Sequence, residues 1–421
     1  MVSERIFYSI VTAIIVLGGI GIGVAYHASI GTTPAGSTGS GTTSAQTSSV
    51  QPYQLTIIVT TQNYFNATAG QQPAFFVLQN NTLQSSANIR LPANVPIQLT
   101  IRNYDDGPAS TDSNYSAVVG TYNDQVSMFN ETLIQSYAID PTSTAASGIA
   151  ITGGIVTTYV DNYSISHTFT IFSNATHKIA VNVPILPSTV EQTTFMLSQP
   201  GGYYWQCEAG CGAPSEFTGS MSTPGWMTGY VTVSNMSVAN QPYNLNLLVV
   251  PHQPWNSTAH QPAFIVVSNG ALYSTANISI PAKTKINVNI FNFDTAGPLY
   301  QNSYANVTGT VGGKIFYLND STVNSTITGS QANPTGISVS GGSMASNISA
   351  SEASHTFTIA LGAGSTINIP VADSATVSAS FYINQTGTYS WACWDACGFG
   401  ANGMGGSMMT PGWMMGSVYV Y

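Results

Sequence analysis

The stretch SANIRLPANVPIQLTIRNYD at residues 86–105 decides the fold, because it returns as TANISIPAKTKINVNIFNFD at residues 275–294. Around this pair, further blocks return in the same order and in similar form, among them QPYQLTIIV, QQPAFFV, SHTFTI, a Cys-x-x-x-Cys-Gly element and TPGWM. Nearly constant offsets of 186 to 188 residues separate the matching histidine, cysteine and tryptophan residues. A period of this length predicts two copies of one whole domain rather than a solenoid.

The repeated blocks have the pattern of β-strands. In INVNIFNF, residues 286–293, Ile286, Val288 and Ile290 share one face and alternate with asparagines, which is the period of a half-buried strand. Beyond the N-terminal segment, no stretch has a convincing helical period. The sequence therefore predicts an all-β fold with two tandem Greek-key β-sandwiches, at residues 51–237 and 238–421, after one N-terminal transmembrane helix.

The N-terminal segment predicts a membrane anchor. Residues 6–26 carry no charge, and a helix needs about 20 such residues to span a bilayer. Arg5 precedes this run and Arg90 is the next basic residue, so the positive-inside rule places the rest of the chain outside the cell. We expect residues 1–28 to be the anchor, with a cleaved signal peptide as the alternative, and residues 29–50 to be a flexible Ser/Thr/Gly linker.

Charged residues are scarce along the whole chain. They make up 5% of the 421 residues, with a net charge of −9, whereas roughly 25% is typical of soluble domains. So few cations exclude nucleic acid as a partner. A neutral polar surface keeps its character when carboxylates are protonated, and we therefore expect an acidic exterior environment.

Acceptor sites for N-glycosylation, Asn-x-Ser/Thr, are spread over the full length and fit a glycosylated exterior protein. They lie at Asn66, Asn80, Asn114, Asn130, Asn162, Asn174, Asn235, Asn256, Asn277, Asn306, Asn319, Asn324, Asn347 and Asn384.

All four cysteines belong to the repeated Cys-x-x-x-Cys element. Each element follows a strand with Tyr and Trp (GGYYWQC and GTYSWAC) and precedes a Met-containing loop and a closing strand. The alternation in SHTFTI places His167 and His355 on the inner faces of their strands. Imidazole, thiolate and thioether together favour copper among the common metals. A disulfide within each cysteine pair is the alternative, because the cell exterior is oxidising.

The order SHTF, YxWQCxxxCG and Met-x-Gly-x-Val-x-Val resembles the cupredoxins. The CxxxCG element is most similar to the copper domain of subunit II of haem-copper oxidases, and GWMTGYVTV is similar to the ending of sulfocyanin and rusticyanin. The resemblance covers both repeats and implies cupredoxin-like sandwiches that bind copper. The ligands it implies are His167, Cys207, Cys211 and Met221 or Met227 in the first repeat, and His355, Cys393, Cys397 and Met408 or Met414 in the second.

At one ligand the sequence departs from that family. The family places a second histidine a few residues after the last cysteine, where this chain has Ser215 and Ala401. One alternative is copper bound by His, two Cys and Met, which would favour Cu(I), and another adds a ligand such as Glu216 or Asp395. The third alternative is a metal-free protein with the disulfides Cys207–Cys211 and Cys393–Cys397.

These features predict a membrane-anchored copper or electron-transfer protein of the cell exterior, linked to a respiratory oxidase or another redox protein. The alternative is a structural or adhesive surface glycoprotein built on a metal-free cupredoxin scaffold. We expect the chain not to be an enzyme. A two-domain copper oxidase or nitrite reductase needs a His-rich site between its domains, and the six histidines include no His-x-His pair.

Overall fold

The computed structural model describes most of the chain beyond the predicted linker. The described residues are 52–109, 111–135, 150–151, 154–238, 240–255, 258–295, 299, 302–319, 326–328, 338–340 and 342–421. The predicted anchor (1–28) and linker (29–50) therefore lie outside them. Among the residues described, no helix combines the length and the apolar character that crossing a membrane requires.

The first repeat consists of strands, with one short α-helix, α1 (Glu131–Gln135). Its strands are β1 (Tyr53–Asn66), β2 (Gly70–Gln79), β3 (Thr82–Ser85), β4 (Asn88–Pro92), β5 (Ile97–Asn103), β6 (Val126–Phe129), β7 (Ala150–Ile151), β8 (Ile155–Thr157), β9 (His167–Ser173), β10 (Ile179–Ile185), β11 (Val190–Phe195), β12 (Gly201–Gln206) and β13 (Thr228–Ser234). The prediction of an all-β fold is confirmed for these residues.

The second repeat has a similar order of strands, with one strand more and no α-helix among its described residues. Its strands are β14 (Tyr243–Pro254), β15 (His260–Ser268), β16 (Ala271–Ser274), β17 (Asn277–Ile280), β18 (Ile286–Asn292), β19 (Ile315–Leu318), β20 (Thr326–Thr328), β21 (Ser338–Ser340), β22 (Ser343–Ala345), β23 (Ala353–Gly362), β24 (Ser365–Ala372), β25 (Thr376–Phe381), β26 (Gly387–Ala392) and β27 (Met415–Val420). Short 3-10 helices lie at Ser113–Tyr115, Tyr122–Asp124, Gly219–Ser222, Asn302–Ala305, Val311–Gly313, Ala401–Gly403 and Gly406–Met409.

Each repeat is a two-sheet sandwich. In the first, a sheet ordered β3-β2-β1-β5-β11-β6-β8 faces a sheet ordered β10-β9-β12-β13-β4. In the second, the matching sheets are β22-β19-β25-β18-β14-β15-β16-β7 and β17-β27-β26-β23-β24. Aromatic rings join the two layers: the ring centroids of Phe75 and Trp205 lie 5.0 Å apart, and those of Phe264 and Trp391 lie 5.4 Å apart. This architecture agrees with the two β-sandwiches expected from the sequence.

The larger sheet of each repeat is buried on both faces. In β14, Leu247 and Val249 belong to the core of the second sandwich, whereas Leu248 and Val250 pack with residues of the first repeat. Both faces are therefore apolar, and the strand reads as a continuous hydrophobic run, as strands covered on both sides do. The larger sheets thus contact each other across the interface between the repeats.

The interface between the repeats is reciprocal. The Asn81 side chain bonds Ser378 and Ser380 of the second repeat, at 2.9 Å each. Gly270, the counterpart of Asn81, donates its N–H to Oε1 of Gln192, the counterpart of Ser378, at 2.6 Å. Strands also cross between the repeats in both directions. β7 of the first repeat pairs with β16 of the second, and β21 of the second repeat lies beside β3 of the first. Matching residues thus make matching contacts, as in a pair related by a two-fold axis.

Tyr104 makes buried hydrogen bonds across this interface. Its hydroxyl lies 3.0 Å from the carbonyl oxygen of Leu318 and 2.7 Å from Oγ1 of Thr376, both in the second repeat. Beside it, the guanidinium of Arg102 lies 4.2 Å from the ring centroid of Phe293, a cation–π contact across the repeats. These residues fix how the two sandwiches are oriented.

We expect Tyr104→Phe to lower the free energy of unfolding by about 1–2 kcal/mol, because it removes buried hydrogen bonds without changing side-chain volume. Urea unfolding of the full chain measures the loss. The matched control is Tyr122→Phe, since Tyr122 is 75% exposed, and it should leave stability unchanged. Equal stabilities for both variants would contradict a role of the Tyr104 hydroxyl at the interface.

Candidate metal centre

Each sandwich contains one buried histidine, carried by β9 in the first repeat and by β23 in the second. His167 begins β9 and pairs with Ile185 of β10, and His355 lies near the start of β23 opposite Val371. Both imidazoles are fully buried. Neither ring is therefore a surface histidine, and its nitrogen atoms need partners inside the protein.

The first cysteine of each pair is fixed by the closing strand. Cys207 directly follows β12 and donates its backbone N–H to the Met227 carbonyl at 2.8 Å. Cys393 does the same with the Met414 carbonyl at 2.7 Å. The loop after each strand then turns back and brings the second cysteine beside the first.

In the first repeat, an imidazole and two sulfur atoms converge. Nδ1 of His167 lies 3.1 Å from Sγ of Cys211 and 3.9 Å from Sγ of Cys207, and the two Sγ atoms are 4.0 Å apart. In the second repeat, Nδ1 of His355 lies 2.9 Å from Sγ of Cys397 and 4.0 Å from Sγ of Cys393. These Sγ atoms are 3.6 Å apart.

A carboxylate orients each imidazole. Nε2 of His167 lies 2.9 Å from Oδ2 of Asp105, and Nε2 of His355 lies 2.9 Å from Oδ2 of Asp294. The carboxylate therefore binds one ring nitrogen and directs the other, Nδ1, towards the sulfur atoms. Histidine ligands of metals commonly have such a partner on their second nitrogen. Sequence reasoning missed both aspartates, although they end the repeated NYD and NFD segments of a chain with few acids.

The two sulfur atoms of a pair differ in their hydrogen bonds. Sγ of Cys207 accepts the backbone N–H of Thr168 at 3.4 Å, whereas Cys211 donates to the carbonyl of Ser166 at 3.3 Å. In the second repeat, Cys393 accepts from the N–H of Thr356 at 3.4 Å and Cys397 donates to the Ser354 carbonyl at 3.6 Å. The backbone N–H contact favours a thiolate at the first cysteine of each pair and the carbonyl contact favours a thiol at the second, although Sγ of Cys207 also lies 3.9 Å from the carbonyl oxygen of Ala209.

The ionisation of these groups follows from the same contacts. Burial opposes a charge on His167, but hydrogen bonds to Asp105 and Cys207 raise its pKa to about 9. Burial likewise opposes ionisation of Cys207, yet its hydrogen bonds with Cys211 and His167 lower its pKa well below that of a free thiol. The hydrogen bond to Cys207 and burial raise the pKa of Cys211. These contacts therefore favour the thiolate form of Cys207, which is the form that binds metals.

The pKa values of the matching groups in the second repeat shift in the same directions. Burial is outweighed by the bonds to Asp294 and Cys393, which raise the pKa of His355 to about 9. The pKa of Cys393 is lowered in spite of burial by its contacts with Cys397 and His355, and burial together with the bond to Cys393 raises the pKa of Cys397.

Glycine after the second cysteine lets the methionine loop approach. A Cβ atom on Gly212 would collide with the Thr218 carbonyl oxygen and lie 2.9 Å from Cγ of Met221. A Cβ atom on Gly398 would meet the Gly405 carbonyl oxygen and, at 2.9 Å, Cγ of Met408. Met221 and Met408 therefore pack directly behind the second cysteine of their repeats. The repeated Cys-Gly dipeptide is explained by this close approach.

The remaining candidate ligands have different surroundings. Met227 and Met414 are fully buried, and the Met227 sulfur lies 3.4 Å from the Ser220 hydroxyl. Glu216 is exposed, whereas Asp395 is buried and its Oδ1 accepts the N–H of Ala396. Among the described residues, neither acid belongs to the groups whose ligand atoms lie within 4.8 Å of one another, which are His167, Cys207, Cys211 and His355, Cys393, Cys397.

The four cysteines are free thiols in the structure. A disulfide would need Sγ atoms about 2.05 Å apart, well below the separations in both repeats. An imidazole nitrogen and two cysteine sulfur atoms are donors that suit copper, and a methionine lies next to the glycine after the second cysteine in each repeat. The residues present therefore fit copper, which both groups could hold.

The acceptor asparagines differ in exposure. Seven are exposed, at Asn80, Asn114, Asn174, Asn235, Asn306, Asn347 and Asn384, and five are half-buried, at Asn66, Asn130, Asn162, Asn277 and Asn319. Asn256 and Asn324 lie outside the described residues. Some half-buried ones use their side chains in turns, as when Oδ1 of Asn66 accepts the N–H groups of Thr68 and Ala69. Glycosylation stays a prediction at all fourteen.

A buried acid distinguishes the first centre from the second. Glu191 is 1% exposed, and its Oε1 accepts the Leu186 N–H at 2.8 Å and the Thr189 hydroxyl at 3.1 Å. Its Oε2 has no hydrogen-bond partner among the described residues. Burial raises the pKa of Glu191 to about 8, against the lowering effect of these bonds and of the nearby His167 charge. Val377 holds the matching position in the second repeat.

Known proteins were compared with the whole chain. No protein family and no curated protein matches it. Solved structures that match include the copper nitrite reductase from Nitrosomonas europaea, at 10% identity over 88% of this chain and 94% of that one, with a TM-score of 0.20. A blue copper oxidase from the same organism matches at 10% identity over 88% and 85%, with a TM-score of 0.19. A multicopper oxidase matches at 9% identity over 88% and 89%, with a TM-score of 0.22.

These matches correct one expectation and leave another as a prediction. The matched structures are copper enzymes by name, so the expectation that the chain is not an enzyme is wrong as stated. At such low identity and TM-score they assign no activity to this chain. The narrower likeness to oxidase subunit II, sulfocyanin and rusticyanin stays a prediction.

We expect Asp105→Ala to weaken copper binding in the first repeat roughly ten- to hundred-fold, the usual effect of removing a partner that orients a histidine ligand. Competition titration with a copper chelator measures it, and binding in the second repeat should not change. Asp106→Ala is the matched control, because Asp106 is exposed. Equal affinities for the two variants would contradict the orienting role of Asp105.

We expect Glu191→Gln to stabilise the protein increasingly as pH rises. The carboxyl pKa is raised from 4.5 when unfolded to about 8 when folded, so the folded state retains a proton that the unfolded state loses. Wild-type stability therefore falls between these two pH values, whereas Gln cannot ionise. Above pH 8, the free energy of unfolding of Glu191→Gln should exceed that of the wild type by at most about 5 kcal/mol.

Urea unfolding of both proteins at about pH 4.5, 6 and 8 tests this expectation. Glu352→Gln is the control, because Glu352 is exposed and its loss should shift stability little at any pH. Parallel stability curves for wild type and Glu191→Gln would show that the buried carboxyl titrates normally.

Proposed function

We propose that this protein binds copper at two centres, one in each repeat, and exchanges single electrons through them. The observation that carries the proposal is the convergence of one imidazole Nδ1 and two cysteine sulfur atoms inside each sandwich. The same arrangement occurs twice, with the same carboxylate partner on each imidazole. A structural role alone gives no reason to keep a buried histidine, two thiols and an aspartate together in both copies.

The donor set favours the reduced metal. Two sulfur atoms, an imidazole and a thioether are soft or borderline ligands, which select Cu(I). When bound, copper would supply one-electron chemistry at this position. The protein's own contribution is to hold His167 and His355 through their aspartates, to bond one sulfur of each pair with a backbone N–H, and to exclude water by burial.

We further propose that the protein acts outside the cell, anchored to the membrane by residues 6–26 and tethered by the 29–50 linker. The uncharged N-terminal run and the fourteen acceptor asparagines support this setting. The partner would be a respiratory oxidase or another redox protein, reached across the length of the tether. The low charge content and the raised pKa of Glu191 suit an acidic exterior.

The competing proposal is a metal-free scaffold stapled by disulfides, as a structural or adhesive glycoprotein would use. The free thiols, their separations and the inward imidazoles favour copper over that alternative. A disulfide scaffold would also have no use for the aspartate–histidine pairs, which are buried and cost desolvation free energy.

We expect the full chain, reduced and loaded with Cu(I), to retain copper in both repeats after removal of the excess. Cys207→Ser with Cys211→Ser should lose half of the bound metal, and Cys393→Ser with Cys397→Ser should lose the other half. His252→Ala is the control, because His252 is exposed and should not affect loading. Metal analysis with thiol counting provides the measurement. The proposal would be overturned if all four cysteines of the isolated chain are oxidised and the chain, once reduced, still takes up no copper.

A further inference from the structure

A buried glutamine faces the methionine loop in each repeat. Gln72 of β2 is 2% exposed, and Gln261 of β15 is 4% exposed. Both occur in the repeated Gln-Pro-Ala-Phe segment. A buried amide costs free energy unless it is hydrogen-bonded, so its partners indicate why it is kept.

The side-chain amide of Gln72 bonds two points of the methionine loop and also, at 3.4 Å, the carbonyl oxygen of Ala69 just before its own strand. Its Oε1 accepts the Ser220 N–H at 2.7 Å, and its Nε2 donates to the Ala213 carbonyl at 3.3 Å. Ala213 lies just after the Cys211–Gly212 dipeptide, and Ser220 lies just before Met221. The amide therefore holds together the two ends of the segment that leads from the second cysteine to the methionine.

The second repeat makes the equivalent contact. Oε1 of Gln261 accepts the N–H of Ser407 at 2.6 Å, and Ser407 directly precedes Met408. A glycine with positive φ precedes each serine, Gly219 at +62° and Gly406 at +63°. A Cβ atom there would lie 2.7 Å and 2.5 Å from the respective glutamine Oε1. The loop thus has no side chain at the point where the glutamine amide enters it, and this fit occurs twice.

We propose that Gln72 and Gln261 are positioning residues that hold Met221 and Met408 as the thioether ligands of the two copper centres. This inference rests on the proposed function. It assigns the thioether role to Met221 and Met408, which directly follow the serines whose N–H groups the glutamines bond, whereas the Met227 sulfur lies 3.4 Å from the Ser220 hydroxyl. The glutamine does not touch the metal. It fixes the backbone immediately before the methionine, and the glycine after the second cysteine receives the methionine side chain.

The test is a double-substitution cycle on Cu(I) affinity, measured in the full chain with the second centre removed by Cys393→Ser and Cys397→Ser. Gln72→Leu should weaken Cu(I) binding roughly ten- to hundred-fold, as the loss of a group that positions a ligand does. Met221→Leu should weaken it similarly, and Gln72→Leu should then have no further effect. Met227→Leu should leave the affinity unchanged. The control Gln71→Leu removes an exposed amide of the same strand and should bind like the parent.

Each result separates the possibilities. Unchanged affinity in Gln72→Leu would overturn the inference, as would equal weakening by Gln72→Leu with and without Met221, because the glutamine would then act on the loop independently of the thioether. If Gln72→Leu does not fold, Gln261→Leu with Met408→Leu repeats the cycle in a chain that keeps only the second centre. A parent chain that folds but binds no copper would overturn the proposed function and this inference with it.

Discussion

The hydrogen bond between a buried aspartate and a buried imidazole is the interaction on which each centre depends. It occupies Nε2 of His167 and of His355 and so leaves Nδ1 facing the two sulfur atoms. Without the carboxylate, the ring could turn and the sulfur atoms would lose their nitrogen neighbour. The aspartate is held in turn, because Asn103 and Asn292 at the ends of β5 and β18 accept the N–H of the aspartates through their side-chain oxygens. The strand end, the carboxylate and the ring thus form one rigid unit.

Much of the fold could be predicted from the sequence, because the duplication and the period of two are local signals. The sequence could not show that Leu248 and Val250 face the other repeat, since a run of apolar residues is compatible with a buried strand in any surroundings. The alternation in residues 286–293 correctly predicted that Ile286, Val288 and Ile290 face the core of the second sandwich. On the other face Asn289 is buried and Asn287 is half-buried, and Asn289 bonds Asn246 and Ser378. Polarity therefore did not indicate exposure there.

The candidate site was predictable where a motif carried it and unpredictable where only tertiary contacts did. Histidine and cysteine could be found from their order along the chain. Asp105 and Gln72 lie in segments that look like ordinary strand ends, and only the folded backbone brings them to the site. Their recurrence as Asp294 and Gln261 was a usable signal, since a charge-poor chain that keeps the same acid in both copies has a physical reason for it. The difference between Glu191 and Val377 could not be interpreted without knowing that the position is buried.

The reciprocal contacts between the repeats have a consequence for the origin of the molecule. Asn81 of the first repeat bonds Ser378 of the second, and the matching residues Gly270 and Gln192 bond each other. Strands β7 and β21 likewise each contact a strand of the other repeat. A self-complementary surface of this kind is what a symmetric homodimer possesses. A single-domain ancestor that already assembled in pairs would have needed only gene fusion to become this chain. In a single chain the two halves are free to differ, and one buried position holds the carboxyl group of Glu191 in the first half and the methyl groups of Val377 in the second.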